Sequence, residues 1–364
     1  MYFAKPPLIP FTRSITKLDS LERNNRQAVL NRSHHLGICT MINFHPIDGQ
    51  RNFDQSVFPS VVLNDGNFDT VEATNAWIKQ YKAELEAELS NSGALLFRGF
   101  PINSAETFDA FSSAFGYPSF TYKESLSNAV RINFTDRVFT ANEAPKDVEI
   151  FLHHEMAQTP ISPEKLFFFC NSAAEQGGAT PICRSDQLFK ALESELPELA
   201  NEFKNKGLRY TTHMPSRDDA QSGQGRSWAS TLSVETTEQA EKKLSELGYD
   251  WQWQDNGSLK AITPILPAVL TLDNGKSVFY NQLVAAYMGW DGVREDPSSA
   301  LAFGDGSAIP KEGLERIAAL SENYTFDLQW QDGDVALLDN KITMHGRRPY
   351  SGQRKRQVLV ALAA

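Results

Sequence analysis

Two histidines and a glutamate are the residues of this 364-residue chain whose types and spacing best indicate metal chemistry. His153 and Glu155 form an H-x-E step in FLHHEM, and His345 follows much later in TMHGRRPYSGQRKR. In an extended strand residues two apart share a face, so this pair can converge on one ion while His154 points away. Two imidazoles and one carboxylate on adjacent corners of an octahedron hold Fe(II) and leave three positions open. The set therefore predicts a site suited to oxygen activation.

Two further groups could hold an acidic co-substrate beside these residues. Arg354 and Arg356 precede the apolar run VLVALAA, and we expect both on one face of the strand that continues through it. A guanidinium buried at the start of an apolar strand needs an anionic partner, and its planar fork suits a carboxylate. Thr180 in GGATP offers a hydroxyl shortly beyond the H-x-E pair. An arginine and this hydroxyl could together hold one acid.

The chain resembles the TauD/TfdA group of Fe(II)- and 2-oxoglutarate-dependent dioxygenases, and more closely the clavaminate-synthase-like branch. The similar stretches follow the family's order over most of the chain. They are GALLFRGF at 93–100, RVFTANEAP at 137–145, FLHHEMAQTP at 151–160, KLFFFC at 165–170, GGATP at 177–181, FGDG at 303–306 and GDVALLDNKITMHGRRPYSG at 333–352.

This resemblance implies that His153, Glu155 and His345 are the iron ligands. Related halogenases have a small residue in place of the carboxylate, which frees a coordination position for chloride, whereas Glu155 fills it. The resemblance therefore implies an enzyme that hydroxylates an unactivated C–H bond. Desaturation or oxidative ring closure by the same chemistry is the alternative, and halogenation is not expected.

The resemblance also implies that 2-oxoglutarate and O2 are co-substrates of the Fe(II) enzyme. Arg356 matches the arginine that pairs with the distal carboxylate of 2-oxoglutarate, and Arg354 is the second choice. Thr180 matches the hydroxyl that helps to hold the same carboxylate.

Four residues are candidates for contact with the primary substrate. Asn142 and Glu143 precede the H-x-E strand, where clavaminate-synthase-like enzymes place substrate-facing residues. Arg226 and Asn281 lie between the two parts of the predicted metal site and could bind a polar molecule. Since family members act on sulfonates, amino acids, carrier-bound residues and amines, we expect a small polar substrate such as a free or carrier-tethered amino acid.

The elements that must position these residues indicate a mostly β fold with flanking helices. Apolar strands are predicted in GALLFRGF, KLFFFC, VALLD and QVLVALA, and the resemblance implies that they form a double-stranded β-helix, or jelly roll. We expect an N-terminal accessory arm at 1–55 and a catalytic domain at 56–364. A long insertion around 186–332 should fold over the barrel mouth, where loops commonly carry specificity.

Two helices are predicted between the arm and the H-x-E strand. Asp69 and Glu72 form a capping box for a helix with apolar residues at every fourth position from Trp77, and this helix should end at Gly93. Ser104 should begin a second helix with three phenylalanines on one face.

Composition narrows the class of protein. The net charge is −10 and the pI about 5.3, without a long basic block, so nucleic acid is not an expected partner. No run of eighteen apolar residues and no signal-peptide pattern is present, so we expect neither a membrane segment nor export. Three cysteines without a C-x-x-C pair fit reduced thiols and a cytoplasmic location. The sequence leaves homo-oligomer formation open.

Two other classes of protein are weighed against the oxygenase. A non-catalytic jelly-roll binding protein should have lost a member of the predicted triad or the arginine, and the sequence retains all of them. A non-oxidative cupin-like isomerase or dioxygenase should lack the arginine and threonine that would hold a co-substrate acid.

Overall fold

The computed structural model describes residues 42–121, 132–141, 144–217 and 227–364. Phe44–Ala364 form one compact unit. Residues 44–55, which the sequence assigns to the arm, therefore belong to this unit, and the Arg51 guanidinium donates to the Thr325 carbonyl within it. The rest of the predicted arm lies outside the described residues, apart from Ile42 and Asn43, and stays a prediction.

Within the described ranges there are nine α-helices and one short 3-10 helix at Pro297–Ser299. The α-helices are α1 (Val71–Gln80), α2 (Lys82–Ser92), α3 (Ala105–Ala114), α4 (Ser185–Glu195), α5 (Pro197–Lys206), α6 (Trp228–Leu232), α7 (Thr237–Glu246), α8 (Leu283–Gly289) and α9 (Lys311–Glu322).

The strands are mostly short. They are β1 (Arg51–Phe53), β2 (Ser56–Phe58), β3 (Ser60–Leu63), β4 (Ala94–Arg98), β5 (Ser119–Phe120), β6 (Val138–Thr140), β7 (Ile150–His153), β8 (Lys165–Ser172), β9 (Gln176–Gly177), β10 (Thr180–Arg184), β11 (Leu208–Met214), β12 (Asp250–Trp253), β13 (Leu259–Ile262), β14 (Leu270–Thr271), β15 (Ser277–Val278), β16 (Leu301–Phe303), β17 (Thr325–Leu328), β18 (Val335–Asp339), β19 (Thr343–Arg347), β20 (Tyr350–Ser351) and β21 (Gln357–Ala363).

Two facing sheets form the centre of the fold. The larger sheet has the order β3-β4-β18-β8-β21-β5, with β6 also paired to β21, and the smaller has the order β17-β10-β19-β7. Alternate residues of both sheets meet in one buried core, including Phe168 of β8, Ile182 of β10 and Leu338 of β18. This alternation is the expected pattern where two sheets enclose an apolar interior. The architecture is the predicted jelly roll.

Helices cover the outer face of the larger sheet. Phe108 and Phe111 of α3 pack against phenylalanines of β8 and β4, respectively. Phe115, which follows the last residue of α3, packs against another phenylalanine of β8. Ser104 caps α3 through the Thr107 amide, which confirms the predicted start of this helix.

The helix predicted from the Asp69 and Glu72 capping box differs in two respects. Thr70 is the residue that caps α1, since its side chain accepts from the Ala73 amide. Tyr81 then separates α1 from α2, so the predicted single helix is two, and the second ends at Gly93 as expected.

Most of the long insertion packs outside the two central sheets. Helices α4, α5, α8 and α9 share a buried core with Cys183 and Met344, which lie on the outer face of the smaller sheet. A separate sheet, in the order β12-β13-β11-β16, packs with α6 and α7. β17 lies within the predicted 186–332 range but is a strand of the smaller central sheet. No helix in the described part of the chain is long and apolar enough to cross a membrane.

Candidate metal and co-substrate site

The smaller central sheet brings the two predicted histidine ligands together. His345 of β19 is directly opposite His153 of β7 on one side and Ile182 of β10 on the other. Side chains in such a cross-strand row share a face, and Ile182 belongs to the core between the sheets. The Phe168 ring from the opposite sheet lies 5.1 Å from the His345 ring. Both imidazoles therefore face the interior of the jelly roll.

Gly346 allows β7 and β19 to approach closely at this point. A β-carbon on this glycine would lie 2.4 Å from the Ile150 carbonyl oxygen, a distance at which the strands would have to separate. The register of the β7–β19 pair also shifts between His345 and Arg347. The HG step thus joins a predicted metal ligand to an irregularity in the strand pairing, and such irregularities are often found beside functional sites.

Glu155 reaches the histidines from a turn. β7 ends at His153, so the strand alternation that predicted the convergence of His153 and Glu155 does not extend to the glutamate. His154 does point away, as expected, with its ring nitrogens beside the main-chain carbonyls of Asn340 and Phe279. Burial lowers the pKa of His154 to about 3.

The donor atoms of the three predicted ligands converge closely enough to hold one ion. A Glu155 carboxylate oxygen lies 3.4 Å from His345 Nε2 and 3.8 Å from His153 Nε2, and one donor atom from each residue lies within 4.8 Å of the others. Metal–ligand bonds of about 2.1 Å place neighbouring octahedral donors about 3 Å apart. The two glutamate–histidine separations exceed this spacing by about 0.4 and 0.8 Å, and the set is the two-histidine, one-carboxylate combination that favours Fe(II).

The protonation of His153 also suits metal binding. Its Nδ1 lies 2.8 Å from the carbonyl oxygen of Phe151, which requires a proton on this nitrogen for a hydrogen bond. In a neutral imidazole the Nε2 lone pair is then available, and it is Nε2 that faces Glu155. A main-chain acceptor on the remote ring nitrogen is a common way to orient a metal-binding histidine.

Arg356 presents a partly buried guanidinium beside Gly178 and Tyr350. Its Nε donates to the Gly178 carbonyl at 3.0 Å, and its guanidinium lies over the Tyr350 ring. Gly178 has a φ of +71°, and a β-carbon there would lie 3.0 Å from the Arg356 side chain. Burial, followed by the charge of Arg347, lowers the pKa of Arg356 to about 10. Within the described residues no carboxylate pairs with Arg356, so an acidic ligand would supply the missing partner.

Arg354 lies in a different environment from Arg356, and neither arginine lies on the strand on which both were expected. Its guanidinium is about half exposed and pairs with Asp332. β21 begins only at Gln357, and its register with β8 shifts between Gln357 and Val358. Because of this irregularity, the alternation of the strand cannot be extended backward to the two arginines.

Thr180 is buried at the start of β10, and its hydroxyl oxygen accepts a hydrogen bond from the Trp330 indole at 2.9 Å. The hydroxyl keeps its own proton for another acceptor, such as a carboxylate. Sequence reasoning missed Trp330. Its only signal was a tryptophan just before GDVALLD, and the pairing of β10 with β17 is what brings that segment to Thr180.

Arg347 is a second residue that sequence reasoning missed. It is buried, and its guanidinium donates to the main-chain carbonyls of Ala144, Pro145 and Val148. These bonds tie β19 to the segment that directly follows two of the predicted substrate residues. The arginine next to HG was visible in the sequence, but its contacts depend on where that segment lies.

Of the four candidates for substrate contact, the structure describes Asn281 alone. Asn142, Glu143 and Arg226 lie outside the described residues. Asn281 is buried, where its side chain donates to the Ala268 carbonyl and accepts from the Leu283 amide. These bonds give Asn281 a bracing role, and its contact with substrate stays a prediction.

Comparison with known proteins identifies the family of this chain. The family described as taurine catabolism dioxygenase TauD, TfdA family, matches residues 63–362. A clavaminate synthase-like protein of Arabidopsis thaliana is 35% identical over 316 residues, 85% of this chain and 95% of the relative. The dapdiamide synthesis protein DdaC of Enterobacter agglomerans is 28% identical over 302 residues, 78% of this chain and 87% of the relative.

Solved structures support the same fold. A Burkholderia xenovorans protein assigned as an alpha-ketoglutarate-dependent taurine dioxygenase has a TM-score of 0.52 at 16% identity, covering 89% of this chain and 93% of that one. The PvcB protein of Pseudomonas aeruginosa has a TM-score of 0.50 at 14% identity, covering 88% and 91%. The family match spans most of the residues that form the two sheets and includes every predicted iron and 2-oxoglutarate residue. The chain belongs to the TauD/TfdA family and is an Fe(II)- and 2-oxoglutarate-dependent dioxygenase.

Proposed function

We propose that His153, Glu155 and His345 hold the Fe(II) of this enzyme, and that Arg356 and Thr180 hold the distal carboxylate of 2-oxoglutarate. One observation carries the proposal. Two imidazoles and a carboxylate converge at the inner face of the jelly roll, and the chain also provides a partly buried guanidinium that has no carboxylate partner in the described residues. A cation and a dianion would complete these two sets of groups.

The residues of the chain position the reactants. Fe(II) with 2-oxoglutarate and O2 supplies an oxidant strong enough to break an unactivated C–H bond. The Phe151 carbonyl orients the His153 ring, and the β7–β19 pair sets His345 opposite it. Arg356 would neutralise the distal carboxylate, and the Thr180 hydroxyl, which accepts from the Trp330 indole, would donate a hydrogen bond to the same group.

We propose hydroxylation of a small polar substrate, an amino acid either free or tethered to a carrier. Glu155 lies beside His345 and would fill the coordination position that a halide needs, which supports hydroxylation over halogenation. The relative named for dapdiamide synthesis supports a small-molecule substrate. Desaturation and oxidative cyclisation use the same site residues, and the product distinguishes them from hydroxylation.

A substrate screen tests this function. The protein should be incubated with Fe(II), 2-oxoglutarate and O2 and a panel of amino acids, free and as carrier thioesters. We expect at least one of them to stimulate succinate formation and to gain one oxygen atom, and we expect no stimulation in His345→Ala protein. Loss of two hydrogen atoms would instead identify a desaturase or cyclase. If metal and 2-oxoglutarate bind but no amino acid is oxidised, the proposed substrate class is wrong.

Failure to bind the metal and 2-oxoglutarate would favour the non-catalytic binding protein. Carrier-protein binding, homo-oligomer formation and a cytoplasmic location stay predictions.

A further inference from the structure

The two histidines and the glutamate of the proposed iron site are positioned by different means. Strand pairing places His153 opposite His345, so the sheet fixes both imidazoles. Glu155 lies beyond the end of β7, where no ladder hydrogen bond sets its position. A separate device must hold the carboxylate at the site.

The buried side chain of Asn340 forms hydrogen bonds with both main-chain polar groups of Glu155, its amide and its carbonyl. Its Oδ1 accepts from the Glu155 amide at 2.8 Å, and its Nδ2 donates to the Glu155 carbonyl at 3.0 Å. The same Nδ2 donates to the Pro163 carbonyl at 2.7 Å. Asn340 has no exposed surface, and it lies on the turn between β18 and β19, the strand that carries His345. One carboxamide therefore links the glutamate to the turn that leads into the distal histidine.

The backbone after Glu155 explains why such a link is needed. Met156 has a φ of +60°, in the left-handed region that residues with a side chain rarely adopt. Such a conformation persists only where surrounding contacts hold it. The Met156 carbonyl accepts from the Thr159 hydroxyl and amide on one side of the turn, and Asn340 holds the other side.

We propose that Asn340 is a positioning residue that fixes Glu155 in its metal-binding position before the metal arrives. The inference depends on the proposed iron site. An amide is needed because the position requires an acceptor for one N–H and donors for two carbonyl groups. In Asn340→Asp the donor becomes an oxygen that faces two carbonyl oxygens, so the hold on Glu155 is lost while the side-chain shape is kept.

Co(II) titration of metal-free protein by calorimetry tests the role without relying on turnover. Loss of groups that orient metal ligands typically weakens affinity by about 10- to 100-fold, and we expect a loss in this range for Asn340→Asp. Asn64→Asp is the matched control. Asn64 follows the last residue of β3, and its carboxamide likewise accepts from the Phe68 amide and donates to the Phe68 carbonyl. It also donates to the Gly99 carbonyl. We expect its Co(II) affinity to stay within about twofold of wild type.

Equal affinity in wild-type and Asn340→Asp protein would overturn the inference while leaving the iron site standing. Failure of the wild-type protein to bind Co(II), or wild-type affinity in His345→Ala, would instead remove the proposed iron site itself.

Hydrogen exchange on the wild-type protein keeps the inference testable if Asn340→Asp does not fold. Peptides covering 151–160 should be protected without metal, and Co(II) should change their exchange rate by no more than about twofold. A segment that exchanges freely in metal-free protein and becomes protected on Co(II) binding would show that the metal, rather than Asn340, positions Glu155.

Discussion

Replacing Arg356 with alanine should weaken 2-oxoglutarate binding by at least about thirtyfold. Truncating one partner of a desolvated charge pair typically costs about 2–5 kcal/mol, and about 1.4 kcal/mol corresponds to a tenfold change in affinity. Arg356 is the partly buried guanidinium, held by Gly178 and Tyr350. The dissociation constant can be measured by calorimetry on Co(II)-loaded protein, which avoids turnover and does not require the primary substrate.

Arg354→Ala is the natural control, because it removes an arginine two residues away. Arg354 is half exposed and already pairs with Asp332. Exposed ion pairs of this kind contribute about 0–1 kcal/mol, so its loss should change 2-oxoglutarate affinity by less than about fivefold. A larger effect from Arg354→Ala than from Arg356→Ala would reverse the assignment of the two arginines.

Replacing His345 with alanine should abolish stoichiometric metal binding and leave the protein folded. The substitution removes the central member of the proposed triad, whose Nε2 lies 3.4 Å from the Glu155 carboxylate. With two ligands left, the site cannot present the three-donor set that holds Fe(II). Metal content after loading and buffer exchange, measured with circular dichroism on the same sample, separates lost binding from lost structure.

His213→Ala provides the control for a general effect of histidine removal. His213 lies on β11 of the insertion and is exposed, so its replacement should leave one bound metal per chain. If His345→Ala retained that stoichiometry with wild-type affinity, His345 would not be an iron ligand.

The fold was largely predictable because its strongest signals are local. Ser104 predicts where α3 begins, and the spacing of the phenylalanines predicts the apolar face of this helix. Both signals depend on residues within a few positions of one another. The apolar strands of the jelly roll are likewise visible as runs. The break at Tyr81 was missed because the apolar spacing on either side continues through it, while the backbone does not.

The candidate site was predictable in its residue types and less so in its geometry. His153 and Glu155 do converge, yet a turn held by Asn340, rather than strand alternation, brings the glutamate into place. The arginines Arg354 and Arg356 were expected on one face of a strand, but β21 begins only at Gln357, and Arg354 pairs with Asp332 while Arg356 is partly buried beside Gly178.

Residues that act through distant partners carried little sequence signal. Trp330 contacts Thr180 across a separation of 150 positions, and Asn340 contacts Glu155 across 185. Such contacts depend on which strands pair with each other. The local sequence of either segment does not predict that pairing. A buried asparagine after an apolar strand could at most have indicated a turn.

Anaerobic titration of the metal-free protein with Fe(II) and then 2-oxoglutarate tests the central assignment most directly. Chelation of Fe(II) by the 2-oxo acid gives a weak visible metal-to-ligand charge-transfer band. We predict that this band appears in wild-type protein, saturates at one Fe(II) per chain, and is absent in iron-free controls and in Glu155→Ala protein. Folded wild-type protein that shows no band with both ligands in excess would contradict the proposed iron and 2-oxoglutarate site.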